Sequence, residues 1–126
     1  MNLNQVTLPA RDVAEAVRFF RAMGFTQIVD SPHYARFECP AGESTFSVHQ
    51  ASVSPADHGV VVYFEVEQLD EKVRELEARG FQFFHPPTDE RWLWREARLK
   101  DPSGNVICLF WAGESRRYPP WRIGAA

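Results

Sequence analysis

Cysteine is scarce in this chain, basic charge is not in surplus, and long apolar runs are missing. Two cysteines, Cys39 and Cys108, are too few for a disulfide scaffold, so reduced thiols in a cytoplasmic setting are expected. Lys and Arg number 14 against 17 Asp and Glu, for a net charge of -3. That balance argues against nucleic acid or a membrane as the main partner, because both call for a basic face. Local basic clustering is confined to Arg116, Arg117 and Arg122 near the carboxyl end. No apolar stretch approaches membrane-spanning length. The first residues lack a basic start followed by an apolar run, so no secretory signal is expected. What is present, in 126 residues, is 44% hydrophobic and 25% charged side chains, an ordinary globular composition. One domain of this length buries roughly two thirds of the surface its unfolded chain exposes.

The strongest pattern is internal repetition. "VAEAVRFFRAMGF" (13–25) matches "LDEKVRELEARGF" (69–81) at a constant offset of 56 residues. Glu15/Glu71, Val17/Val73, Arg18/Arg74, Ala22/Ala78, Gly24/Gly80 and Phe25/Phe81 are identical pairs. Each copy reads as an amphipathic helix, with Val13, Val17 and Phe20 on one face of the first and Leu69, Val73 and Leu76 on one face of the second. Asp12 occupies the position of an N-cap, and each helix ends at a glycine able to turn left-handed. "NQVTL" precedes the first helix and "TQIVDS", "HYARFEC" and "STFSVHQ" follow it as strand-like runs. "VVVYFEV" precedes the second, and "FQFF", "WREARLK" and "NVICLFW" follow. The expected fold class is therefore α+β, a β-α-β-β-β unit written twice. The first module covers about residues 3–50, a linker 51–58, the second module about 59–112, and a carboxyl-terminal arm 113–126.

Alternation then assigns the faces of each sheet. Val6 and Leu8 suit a helix, which leaves Gln5 and Thr7 opposite. Val62 and Phe64 suit the second helix, which leaves Val61, Tyr63 and Glu65 opposite. By the same logic Ser47, His49, Glu96, Arg98, Cys108 and Phe110 share the helix-free side. That side mixes polar groups with Val61, Cys108 and Phe110, an apolar share that a water-facing sheet seldom carries. An apolar-lined cleft with a few polar groups is how small-molecule sites are built.

Three stretches, "NQVTLPARDVAEAVRFFRAMGF", "VYFEVEQLDEKVRELEARGF" and "WREARLKDPSGNVICLF", resemble the vicinal oxygen chelate superfamily. This group of glyoxalases, bleomycin-resistance proteins and dioxygenases is matched up to about Ala112, and the first and third stretches look especially like the bleomycin-resistance branch. The resemblance implies two tandem βαβββ modules whose curled sheets form a cleft, commonly within a homodimer. Metal-dependent members place four ligands on the helix-free face, and those positions fall here on Gln5, Ser47, Val61 and Cys108. Valine cannot bind a metal and no carboxylate stands at an expected position, whereas hard divalent ions call for carboxylates and zinc or iron for three or more His, Cys or carboxylate ligands. No cofactor is expected, a divalent metal held through displaced ligands being the alternative.

The expected function is small-molecule binding by a homodimer through Gln5, Thr7, His49, Tyr63, Glu65, Trp92, Arg98, Cys108 and Phe110. Arg98 offers a fork of donors to an anionic ligand, and Trp92 and Trp94 offer rings for a flat or cationic one. Two other classes stay open: a metal-dependent lyase, isomerase or dioxygenase, and a metal-free enzyme using His49, Glu65 or Cys108 in acid–base or nucleophilic work. His33, His58 and His85 sit beside prolines or in the linker and read as surface positions. The arm, with Tyr118, Trp121 and Ile123 among its prolines, reads as a segment packing on a surface, a partner subunit included.

Overall fold

In the computed structural model, which describes residues 2–52 and 60–124, the chain divides into two compact units. The first unit holds β1 (Gln5–Ala10), α1 (Val13–Met23), β2 (Thr26–Ser31), β3 (Tyr34–Glu38) and β4 (Thr45–Gln50). Its sheet runs β1-β4-β3-β2, with β1 parallel to β4 and the remaining neighbours antiparallel. The second unit holds β5 (Val61–Glu65), α2 (Leu69–Ala78), β6 (Thr88–Asp89), β7 (Arg95–Lys100) and β8 (Val106–Trp111). Its sheet runs β5-β8-β7-β6, with β5 parallel to β8. Each unit is thus a βαβββ arrangement, as the repeat predicts. The expected linker falls largely on residues 53–59, outside the described residues.

Both helices form and stop for reasons visible in their residues. Asp12 is extended and its Oδ1 accepts from the Glu15 backbone N–H at 3.1 Å, satisfying one donor of the first turn. The buried stripe of α1 is Val13, Ala16, Phe20 and Met23, and that of α2 is Leu69, Val73 and Leu76. Phe20 lies at the centre of an aromatic cluster, 5.6 Å from Phe37 and 5.0 Å from Phe46 between ring centroids. The repeated Gly-Phe end is one helix stop used twice. Gly24 and Gly80 have φ of 111° and 96°, and the following Phe25 and Phe81 N–H groups reach back to Phe20 and Leu76 carbonyls at 3.1 Å.

The turn "DPSGN" between β7 and β8 is a polar knot assigned to the first unit. Asp101 Oδ1 accepts from the N–H groups of Ser103 (3.0 Å) and Asn105 (2.8 Å), and Oδ2 accepts from Asn105 Nδ2 at 2.6 Å. Asn105 Nδ2 also donates to the Pro9 carbonyl, and Arg11 N–H donates to Ser103 Oγ. Burial pushes the Asp101 carboxyl above its ordinary range, while the hydrogen bonds hold it down in part.

One expectation needs correction. "FQFF" is not a strand: Phe83 makes a single bridge to Leu99, and regular pairing resumes only at β6. Pro86 and Pro87 stand between, and neither has an N–H to give a ladder. In the carboxyl-terminal arm, Gly113–Arg116 form a 3-10 turn. No helix among the described residues is long and apolar enough to cross a membrane.

Phe20→Ala should cost about 3–5 kcal/mol in urea unfolding, the range for emptying a packed aromatic position. Gly80→Ala should cost about 1 kcal/mol through backbone strain, because its added Cβ meets nothing within 4 Å.

Candidate functional site

On the helix-free face of the second sheet, β7 presents Glu96 and Arg98 and β5 presents Tyr63. Glu96 is 1% exposed, yet both its oxygens are satisfied. Oε2 accepts from Trp92 Nε1 at 2.7 Å, and Oε1 accepts from Arg98 Nε and one terminal nitrogen at 3.2 and 3.1 Å. The same terminal nitrogen donates to Tyr63 Oη at 3.0 Å. Trp94 stacks on Phe110 at 4.7 Å, and Tyr63 meets both rings edge-on at 5.7 and 5.6 Å. Tyr63 (41%) and Trp92 (37%) still show surface to solvent. The result is an aromatic floor beside an ion pair, buried at Glu96 and part-exposed at Arg98, whose charges cancel.

Trp92 and Trp94 flank a residue under strain. Leu93 has φ of 71°, a left-handed conformation uncommon outside glycine, and its N–H donates to the Glu90 carbonyl. The turn holds this cost while bringing Trp92 onto Glu96. Arg95, on the opposite side of β7, grips Asp70 of α2 through two bonds of 2.7 and 2.9 Å and reaches Asp89 of β6 at 3.0 Å.

Cys108 lies under this face, opposite Tyr63 in the β5–β8 register, and is fully buried. Desolvation, with the Glu96 charge, pushes its thiol up to about 12, so it is protonated at neutral pH. That weighs against a nucleophilic role and favours packing. Glu65 stands opposite Phe110 in register and is exposed.

The helix-free face of the first sheet has a different chemistry. Ser47, wholly buried on β4, pairs with Thr7 on one side and Arg36 on the other. Gln5 Nε2 donates to Ser47 Oγ at 2.6 Å and to the Val6 carbonyl at 3.2 Å, and Gln5 Oε1 accepts from Thr45 Oγ1. Ser47 Oγ lies 2.6 Å from Tyr34 Oη, which also accepts from Arg36 Nε at 2.9 Å. Ser47 and the Arg36 guanidinium together hold the Tyr34 phenol below its ordinary range. His49, exposed, stands opposite Tyr34 with the rings 6.3 Å apart.

Sequence patterning does not single out Tyr34 and Arg36, although alternation in "YARFE" carries the signal. A buried serine is what draws the two into a network, and burial of one strand position is not written in a local pattern. Of the other expected positions, Gln5 joins this network, Thr7 and His49 are exposed beside it, and Val61 faces Val106.

The metal positions implied by the resemblance do not fit a metal. Gln5 is engaged by Ser47, Thr45 and a backbone carbonyl, Val61 has no donor atom, and Ser47 and Cys108 supply no carboxylate or imidazole between them. Among the described residues no three His, Cys, Asp or Glu side chains come together as ligands. A shallow concavity of about 450 Å³ beside Arg21, Gly24, Phe25, Thr26 and Gln27 contains none of the groups above.

A sequence model of the Glyoxalase/Bleomycin resistance protein/Dioxygenase superfamily matches residues 2–109. No curated protein sequence matches the chain significantly. Among solved structures, a glyoxalase/bleomycin resistance protein/dioxygenase from Nocardioides is similar at a TM-score of 0.79 and 23% identity, covering 98% of this chain and 90% of that one. A bleomycin-binding protein complexed with bleomycin is similar at 0.75 and 19% identity, covering 88% and 98%. A lactoylglutathione lyase from Agrobacterium tumefaciens is similar at 0.72 and 17% identity, covering 86% and 92%. At these identities the likeness is one of fold.

The Tyr34 network has a direct readout. In a spectrophotometric titration Tyr34 should form phenolate at lower pH than an ordinary tyrosine. Tyr34→Phe should delete that early component, and Arg36→Gln should move it to higher pH.

Proposed function

The chain belongs to the glyoxalase/bleomycin resistance protein/dioxygenase superfamily, and on that premise we propose that it binds a small molecule without a metal, through the helix-free faces of its sheets. The observation that carries this is the floor made by Tyr63, Trp94 and Phe110 beside the Glu96–Arg98 pair. Stacked and edge-on rings suit a flat, largely uncharged ligand group, because Glu96 already cancels the charge of Arg98. Trp92 and Tyr63, each with exposed ring surface, are the side chains placed to close on it. The shared fold with a protein solved in complex with bleomycin supports the binding reading. On the first sheet Gln5, Thr7 and His49 offer polar groups of their own, and Glu65 borders the floor on the second.

The protein works in the cytoplasm, a setting that keeps Cys39 and Cys108 as free thiols. It acts as a homodimer, with the carboxyl-terminal arm against the partner. Tyr118 and Trp121 are each 58% exposed and Ile123 is 98% exposed, more apolar surface than a short segment ordinarily leaves to water.

Protein purified without chelators should carry no stoichiometric metal by elemental analysis, and nickel, zinc, iron and manganese should leave its melting temperature unchanged. A tightly held metal ion sinks the metal-free reading. Aromatic fragments should quench tryptophan fluorescence, and Tyr63→Ala should weaken such binding about tenfold, roughly the loss of one desolvated aromatic contact. Unaltered affinity removes this face from the site. Truncation after Ala112 should convert the dimer to a monomer in sizing experiments.

A further inference from the structure

The two helix-free faces share a device and differ in one atom type. On β7, Arg98 donates to the acceptor two residues before it, Glu96; on β3, Arg36 donates to the acceptor two residues before it, Tyr34. In the second case the acceptor is neutral. Arg36 forms no ion pair among the described residues, and its two terminal nitrogens have no hydrogen-bond partner there. The other ionisable side chains at the same-side register positions of β3 and β4 are Glu38, exposed two residues on, and His49. A half-buried guanidinium without a carboxylate has donors free to take an anion.

The hydrogens of the network can be traced. The Val6 carbonyl can only accept, so it fixes which end of the Gln5 amide is nitrogen. Gln5 therefore donates to Ser47 Oγ. Ser47 is wholly buried, and among the described residues Tyr34 Oη is the neighbour left to take the serine hydrogen. Tyr34 Oη then receives hydrogens from both Ser47 and Arg36. Its own O–H is committed to neither and points away from both, a donor polarised by two others.

We propose that this face is a binding site for the carboxylate of a small organic acid, with Arg36 supplying the counter-charge and Tyr34 Oη–H the directed hydrogen bond. The site rests on the reading that the helix-free faces take small molecules, and it adds the ligand's chemical class. Gln5 and Ser47 serve as positioning residues, holding the phenol so that its hydrogen stays available. A neutral amide of the same shape has no charge for Arg36 and is a poor substitute.

The test is an amide and arginine side-chain NMR titration with benzoate, and with benzamide as its neutral match. Benzoate should saturably shift the Ser47 amide and the Arg36 Nε–H, and benzamide should not. Tyr34→Phe and Arg36→Gln should each weaken benzoate tenfold or more, while Arg18→Gln, an exposed arginine on α1, should leave it unchanged. An equal response to benzamide, an equal loss in Arg18→Gln, or full affinity in Tyr34→Phe overturns the carboxylate site. The Trp92 and Trp94 indole signals separate this failure from that of the wider reading. If they respond to a neutral aromatic while Ser47 and Arg36 stay silent with benzoate, the carboxylate site falls and small-molecule binding stands. If no signal moves with either probe, both fall.

Discussion

A strand offers its side chains alternately to two faces, and in both units a helix claims one of them. Phe20 packs on Phe37 and Phe46, and the buried stripe of α2 is Leu69, Val73 and Leu76. Apolar residues must occupy the claimed face, since its burial is the main favourable contribution to folding. The other face is relieved of that demand and carries the Glu96–Arg98 pair in one unit and the Tyr34–Ser47 network in the other. The repeated Gly-Phe helix end sets where each helix stops and where the chain re-enters the sheet.

What differs between the two faces is how a single arginine is answered. Arg98 is met by a carboxylate that is itself almost wholly buried, and the pair, the indole of Trp92 and the phenol of Tyr63 form one hydrogen-bonded set. A buried carboxylate of this kind costs desolvation that only full hydrogen bonding offsets, and here both Glu96 oxygens are filled. Arg36 is met by a phenol, which accepts its hydrogen without cancelling its charge. The same two-residue spacing on a strand thus gives a neutral aromatic floor in one unit and a positive, donor-rich face in the other.

The residues at the positions that the family resemblance marks for metal are engaged in contacts of their own. Gln5 and Ser47 are consumed in hydrogen bonds that orient Tyr34, and Cys108 is a buried thiol kept protonated by desolvation. A buried hydroxyl must be satisfied, and satisfying Ser47 is what joins β1, β3 and β4 into one network.

The order of elements, the two helices with their caps, and the division of most strands into helix-facing and helix-free sides were legible in the residues. Period and local turn chemistry act within a few positions of one another. "FQFF" was misread because its apolar run looks like a strand while Pro86 and Pro87 deny it a ladder. Alternation also placed Tyr63, Glu96, Arg98, Cys108 and Phe110 on one side correctly. It did not show that Cys108 lies too deep to ionise, nor that Tyr34 and Arg36 belong with Ser47. Those facts depend on strand register and on which polar atoms end within about 3 Å of each other, a distance local pattern does not encode. Sequence alone therefore determined the repeated scaffold and the side on which chemistry sits, because these follow from periodicity. Tertiary structure decided which arginine is neutralised and which is left charged, because that depends on contacts across strands.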